Sequence, residues 1–313
     1  MLRSRWSSPR PSRRPRPADP VTGSEPTTSA FSRLERFDAI GSTNDVVRRW
    51  MADGTPEVAV AVAREQTAGR GRAGRAWVSP PGASLMLSCG FRPTWLPPDR
   101  AWRLAAAVSL AMCDAAEEVA GLPEGAIRLK WPNDLVVELA GPHALLTGVM
   151  SAHEAAARLA APLELRKLAG VLGETDGLGT ADPRAVVGIG INADWAAADF
   201  PPELAATMTS LREASAGRPI DREALLTAFL GYLEARLDAL RAGFFDIATW
   251  TARQALTGRV VRLEGHGGRA DEDATVDGVD ASSGALAVTP LGSGDAHLVH
   301  AGEVVRVRLA VGV

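Results

Sequence analysis

The chain has 313 residues, 46% of them hydrophobic, which is enough for one large domain and a small one around real cores. Its formal net charge is -3, but six Arg against one Asp give residues 1–20 a charge of +5 and leave -8 for the remainder. An acidic body argues against general nucleic-acid binding, and no apolar run approaches the roughly 20 residues of a membrane helix. Cys89 and Cys113 are too few for a disulfide framework and stand in no metal-ligand or redox spacing, which fits a reducing, cytoplasmic setting.

Residues 1–30 are rich in Arg, Pro and Ser without an apolar h-region, and are expected to be a disordered, dispensable tail. Residues 37–40 read as a short strand leading into Gly41-Ser42-Thr43-Asn44, where Ser42 or Thr43 can cap a helix that continues through Val46, Val47 and Trp50. The unbroken apolar run 58–63 reads as a buried strand. It opens into Glu65-Gln66-Thr67-Ala68-Gly69-Arg70-Gly71-Arg72-Ala73-Gly74-Arg75-Ala76-Trp77. Glycines at that density let the backbone reach positive φ and approach a ligand closely. The arginines between them offer planar forks of donors for carboxylate or phosphate oxygens. The loop therefore reads as an anion clamp; on this stretch alone, a solvated surface loop or a nucleic-acid patch is the alternative.

Residues 84–91 read as a strand, and Pro97-Pro98 introduces a helix over 99–119 with Leu104, Val108 and Met112 on one face. The strand 127–131 ends at Pro132-Asn133-Asp134, which forces a turn. Asp134, four residues after Lys130, is placed to hold Mg²⁺ or to orient that lysine; a self-capping Asn-Asp turn is the simpler reading. Residues 138–166 break the pattern and read as an insertion between two core strands, with one short helix over 151–160. Segments 168–172 and 185–191 are apolar and predict buried strands, with glycines that permit close backbone approach. Over 221–242, Leu225, Leu226, Phe229, Leu233 and Leu237 define an amphipathic helix capped by Asp221, followed by a shorter helix over 245–253. Beyond Leu256, five short alternating segments (259–263, 274–279, 286–289, 296–300 and 304–307) predict a small barrel. His297 and His300 lack a third partner for a metal.

Of 34 Lys+Arg, only Lys130 and Lys167 are lysine, and asparagine occurs only at Asn44, Asn133 and Asn192. In an Ala-, Gly- and Arg-rich chain, positions that keep a disfavoured residue point to a need for its geometry. Lysine is a compact point charge where arginine is a fork, and asparagine carries a donor and an acceptor on a short arm.

Ser42-Thr43-Asn44, the segment from Glu65 to Trp77, Lys130-Trp131-Pro132-Asn133-Asp134, Lys167-Leu168-Ala169-Gly170 and Gly188-Ile189-Gly190-Ile191-Asn192, in this order, resemble the biotin–protein ligase family. The resemblance runs from about Leu34 to Arg308. It implies an α/β (α+β) catalytic domain over 31–255, with a mixed sheet related to class II aminoacyl-tRNA synthetases and lipoate ligases, and an SH3-like barrel over 256–313. The implied reaction joins biotin and MgATP to biotinyl-5′-AMP, then passes biotin to a lysine of a biotin carboxyl carrier protein. Carried over by motif, Ser42, Thr43, Asn44, Gln66, Gly69, Arg70, Gly71, Arg72, Lys167 and Gly170 would bind biotin. Arg72, Arg75, Trp77, Lys130, Asn133 and Asn192 would bind ATP or the adenylate, with Asp134 as the Mg²⁺ ligand. Lys167, Arg70 and Lys130 would carry the catalysis electrostatically, with no side-chain nucleophile.

The 138–166 segment lengthens the short hairpin that joins the lysine motifs in this family. The residues ahead of Leu34 are too few and too Pro-rich for the winged helix-turn-helix of some relatives, so a monomeric or homodimeric ligase without repressor function is expected. The rival on the same fold is a lipoate or octanoate ligase, which would replace the polar ureido site by a long apolar tunnel. A biotin-sensing DNA-binding protein and an arginine–glycine RNA-binding module are further alternatives; aromatic content of 5% disfavours the latter.

Overall fold

A computed structural model describes residues 31–146, 150–265 and 270–309, so the expected tail at 1–30 lies outside the described residues. In chain order the elements are β1 (Arg33–Ile40), α1 (Thr43–Ala52), β2 (Ala59–Gln66), β3 (Ser84–Phe91), α2 (Trp102–Ala120), β4 (Ile127–Lys130) and β5 (Asp134–Ala140). There follow α3 (Ala152–Ala160), β6 (Glu164–Asp176), β7 (Arg184–Asn192), α4 (Pro202–Ala205), α5 (Leu211–Ala214), α6 (Arg222–Arg241) and α7 (Ile247–Ala252). The chain then runs through β8 (Arg259–Glu264), β9 (Glu272–Val279), β10 (Leu286–Pro290), β11 (His297–Val299) and β12 (Glu303–Leu309).

The first seven strands form one mixed sheet in the order β1-β2-β3-β7-β6-β5-β4, in which only β1 and β2 run parallel. Period-two alternation divides its faces. Ala185, Val187, Ile189 and Ile191 of β7 join the core beneath α2 and α6, which pack on each other. On the other face, Val47, Trp50 and Met51 of α1 pack on Ala59, Ala61 and Val186. That helix lies against backbone, since a Cβ at Gly90 would sit 2.6 Å from Val47 Cγ1. Beyond α1, the same face of β7, β6 and β5 floors a cavity.

The last five strands form an antiparallel sheet in the order β11-β10-β9-β8-β12, so all five predicted segments are strands, as expected of the small second domain. Trp131, in the turn after β4, sits 6% exposed in this second core and donates its indole N–H to Gly284 O at 3.3 Å. Trp102 likewise donates to Ser282 O at 3.2 Å, and Arg259 forms a buried ion pair with Glu138 at 2.6 Å. These contacts fix the small sheet against the large one and bring β12 to the cavity edge.

Several boundaries differ from expectation. Ser42 occupies the N-cap of α1 without a side-chain cap hydrogen bond, and the Thr43 hydroxyl is engaged by Ser88 and Gln66 instead. Strand β5 takes Glu138 and Ala140 into the sheet, so the insertion begins only after Ala140; its helix α3 carries a Ser151–Glu154 capping box. Strand β6 is far longer than the apolar stretch 168–172 because its ends are polar and partly exposed.

Candidate active site

The cavity, about 700 Å³, opens over a patch of sheet that carries almost no side chains. A Cβ at Gly190 would lie 2.7 Å from the indole of Trp77, and one at Gly170 would lie 3.2 Å from both that indole and Lys167 Nζ. Alternation in Gly188-Ile189-Gly190-Ile191 thus puts isoleucine in the core and leaves bare backbone in the site. Trp77 lies on this floor.

Lys167 reaches the same face through a bulge. Leu135 pairs with Ala169 and Val136 with Lys167, so Leu168 has no partner across the ladder. Without this extra residue, Lys167 and Gly170, three apart, would point to opposite faces. Leu168 turns into the core at 0% exposure, and Lys167 turns into the cavity. Its ammonium meets Asp134 at 2.6 Å and lies 5.7 Å from the centre of the Trp77 ring. The segment after α4 holds this backbone from the other side: Lys167 N donates to Thr207 O at 2.8 Å and Thr209 N to Lys167 O at 2.9 Å.

One end of the cavity is lined by polar groups. Gln66 Oε1 accepts from Thr43 N at 2.7 Å; Ser88 Oγ lies 2.7 Å from Thr43 Oγ1 and 2.6 Å from Asn44 Oδ1. Asn44 Nδ2 donates to Glu174 Oε2 at 2.8 Å. Gln66 Nε2 lies 3.4 Å from Met86 Sδ, a weak acceptor.

The Gly/Arg stretch is a tight hairpin rather than an open loop. Trp77 N donates to Gly69 O at 2.9 Å and Gly71 N to Arg75 O at 2.7 Å, and the apex turns on positive φ at Ala73 (53°) and Gly74 (71°). Arg70 pairs with Asp45 at 2.9 Å and Glu174 at 3.2 Å. Arg72 points inward, to Asn133 Oδ1 at 3.5 Å. At the opposite wall, Lys130 Nζ donates to Val304 O of β12 at 3.1 Å, and Val304 and Val307 line the cavity.

The structure brings together Ser42, Thr43, Asn44, Gln66, Arg70, Gly71, Arg72, Arg75, Trp77, Lys130, Asn133, Asp134, Lys167 and Gly170 around this one cavity. Gly69 and Asn192 do not line it. Gly69 closes the hairpin, where a Cβ would strike Trp77 O at 2.5 Å. Asn192 is 1% exposed behind the wall, donating to Thr209 O at 2.9 Å and accepting from Ser84 at 3.5 Å. It reaches Lys167 only through the Thr209 backbone. Asp134, expected to hold Mg²⁺ or orient Lys130, is instead paired with Lys167. Among the described residues no group of three His, Cys, Asp or Glu side chains is placed to hold a metal, and His297 pairs with Glu272 at 3.0 Å. Sequence reading did not single out Ser88, Glu174 and Asp45, which contact Thr43, Asn44 and Arg70. The signals were a serine inside an apolar strand, and a glutamate two alternations beyond Gly170.

The biotin/lipoate A/B protein ligase family profile matches residues 37–192. The biotin–[acetyl-CoA-carboxylase] ligase of Mycobacterium tuberculosis is 30% identical over 243 residues, covering 77% of this chain and 78% of that protein. The Paracoccus denitrificans enzyme of the same name is 32% identical, covering 75% of this chain and 86% of its own length. The bifunctional ligase/repressor BirA of Bacillus subtilis is 31% identical, and the match spans only 55% of its length. In three dimensions, the biotin protein ligase from Aquifex aeolicus in complex with biotin and ATP shares the fold with a TM-score of 0.61, at 24% identity, over 86% of this chain and 99% of that one. The chain belongs to the biotin/lipoate A/B protein ligase family.

Proposed function

We propose that the protein is a biotin–protein ligase, which activates biotin with ATP to biotinyl-5′-AMP and transfers it to a lysine of a biotin carboxyl carrier domain. The observation that carries this reading is the polarity of the cavity. A buried cluster of amide and hydroxyl groups at one end suits a cyclic urea, and cations at the other suit a carboxylate joined to a phosphate. A lipoate or octanoate ligase would need an apolar tunnel where Thr43, Asn44, Gln66 and Ser88 stand.

In the first step the biotin carboxylate attacks the α-phosphorus of ATP and pyrophosphate leaves. Lys167, held by Asp134 and the face of Trp77, lies where charge builds on the α-phosphate oxygens, and Arg72 approaches the same region from the hairpin. Fixed cations at that point stabilise the transition state without reorganising. In the second step the carrier amine attacks the acyl carbon and AMP leaves; the bond polarised by Lys167 is the one that breaks. Lys130 sets the β12 wall from which the nucleotide and carrier are met. Mg²⁺ would enter with ATP as part of the substrate and offset phosphate charge, while Asp134 holds Lys167. A cytoplasmic setting goes with this reading, because MgATP is the cosubstrate and Cys89 and Cys113 are free thiols.

Incubation with MgATP, biotin and a carrier domain should add one biotinyl group to one carrier lysine, read by intact mass. Parallel lipoate and octanoate arms should stay unmodified. Acylation by either in preference to biotin would overturn the assignment.

A further inference from the structure

Asn44 lies between two partners that make unequal demands. Its amide oxygen is 2.6 Å from Ser88 Oγ, and its amide nitrogen is 2.8 Å from Glu174 Oε2. A carboxylate only accepts, so Glu174 dictates which end of the amide it meets: Nδ2 donates to Glu174, and Oδ1 is left to Ser88. Ser88 has one hydroxyl proton, and an amide oxygen can only receive it. Thr43 Oγ1 has two oxygens in reach, Ser88 Oγ at 2.7 Å and Gln66 Oε1 at 3.1 Å; the shorter contact, to an oxygen whose own proton is already engaged, takes the Thr43 proton. The consequence travels to the cavity. With its proton spent on Ser88, Thr43 Oγ1 faces a ligand as an acceptor, while Gln66, its Oε1 held by Thr43 N–H and its Nε2 beside the weak acceptor Met86 Sδ, faces it as a donor. An acceptor beside a donor is the pattern that one N–H and the carbonyl of a urea require.

Resting on the ligase reading above, we infer that Glu174 is a positioning residue that fixes the hydrogen-bond polarity of Thr43 at the urea-binding end without touching the ligand. The same carboxylate also takes Arg70 at 3.2 and 3.3 Å, so one anchor holds both the urea end and the base of the hairpin. Asp45 shares Arg70 with it, and Arg48 stands 3.7 Å away.

A charge-swap cycle tests this, read as biotin affinity by calorimetry and as KM for biotin against KM for ATP. Glu174→Gln removes the fixed acceptor and lets both amides turn, and should weaken biotin binding about tenfold with the ATP KM unchanged, the worth of a hydrogen bond to a charged group. Asn44→Asp sets two carboxylates face to face and should weaken it more. The double variant restores a complementary pair, with the introduced aspartate accepting from both Ser88 and the introduced glutamine. It should bind biotin at least ~10-fold better than the product of the single effects. If Asn44→Asp alone does not fold, recovery of folding in the double variant supports the same contact. Independent effects in the cycle, or an unchanged biotin affinity in Glu174→Gln, would overturn the inference and leave the ligase reading intact. Wild-type protein that binds no biotin would overturn both.

Discussion

At one end of the cavity Thr43, Asn44, Gln66 and Ser88 hold one another, all buried except the partly exposed Gln66, on backbone that cannot move without disturbing α1, β3 and β7. At the other end Lys167, Arg72 and Lys130 are partly exposed and lean on acceptors lent by the protein: a carboxylate, an amide oxygen and a backbone carbonyl. The first end is shaped in advance, so specificity can come from donors and acceptors that need no rearrangement. The second is charge held in readiness, where an incoming anion competes with Asp134 and Asn133 for the same cations. On the proposed reading one end would choose the substrate and the other drive the chemistry, and substitutions should separate along that line.

The largest effect belongs to the charged end. Lys167→Ala should slow adenylate formation by on the order of 100-fold or more, measured as pyrophosphate release, with biotin binding nearly unchanged. Equal losses in both would break the division of labour. At the shaped end the sharpest probe is Gly188→Ala, because the added Cβ would lie 2.1 Å from Asn44 Oδ1. Displacing Asn44 should cost about 10- to 100-fold in biotin affinity, while Gly173→Ala, which meets no atom within 4 Å, should stay within about twofold. A smaller contrast lies within the hairpin. Arg72→Gly should speed loss of biotinyl-AMP about tenfold, and Arg70→Gly distinctly less, because the partly exposed Arg70 pairs with Asp45 and Glu174 rather than facing Asn133. Faster loss from Arg70→Gly than from Arg72→Gly would instead assign retention of the intermediate to Arg70. The smallest effect lies outside the site. Burial pushes the thiols of Cys89 and Cys113 far above their usual range, so neither should alkylate until the protein is denatured.

Much of this arrangement is legible in the sequence because alternation and residue scarcity both have direct physical causes. Strand β3 was readable end to end, since its run is apolar and bounded by a turn on each side. Both lysines and two of the three asparagines do meet at the cavity. Asn192 shows what scarcity measures. Its donor and acceptor are both required, but by Thr209 and Ser84 inside the wall, so a need for geometry is not the same as contact with a ligand. The bulge at Leu168 was hidden because Lys167-Leu168-Ala169-Gly170 reads equally well as a regular strand, and only pairing with β5 reveals the unpaired residue. Glu174 and Ser88 escaped notice for a related reason. Each is a common residue whose meaning comes from the partner a distant strand or helix sets opposite it.

The account turns on where the two halves of an acyl-adenylate lie, and a crystal structure of the protein grown with biotin and MgATP measures that directly. It should show the urea ring hydrogen-bonded to Thr43 Oγ1 and Gln66 Nε2, and the α-phosphate against Lys167 and Arg72. A ring bound beyond Trp77 near Val304 and Val307, or a phosphate among Thr43, Asn44 and Ser88, would contradict it.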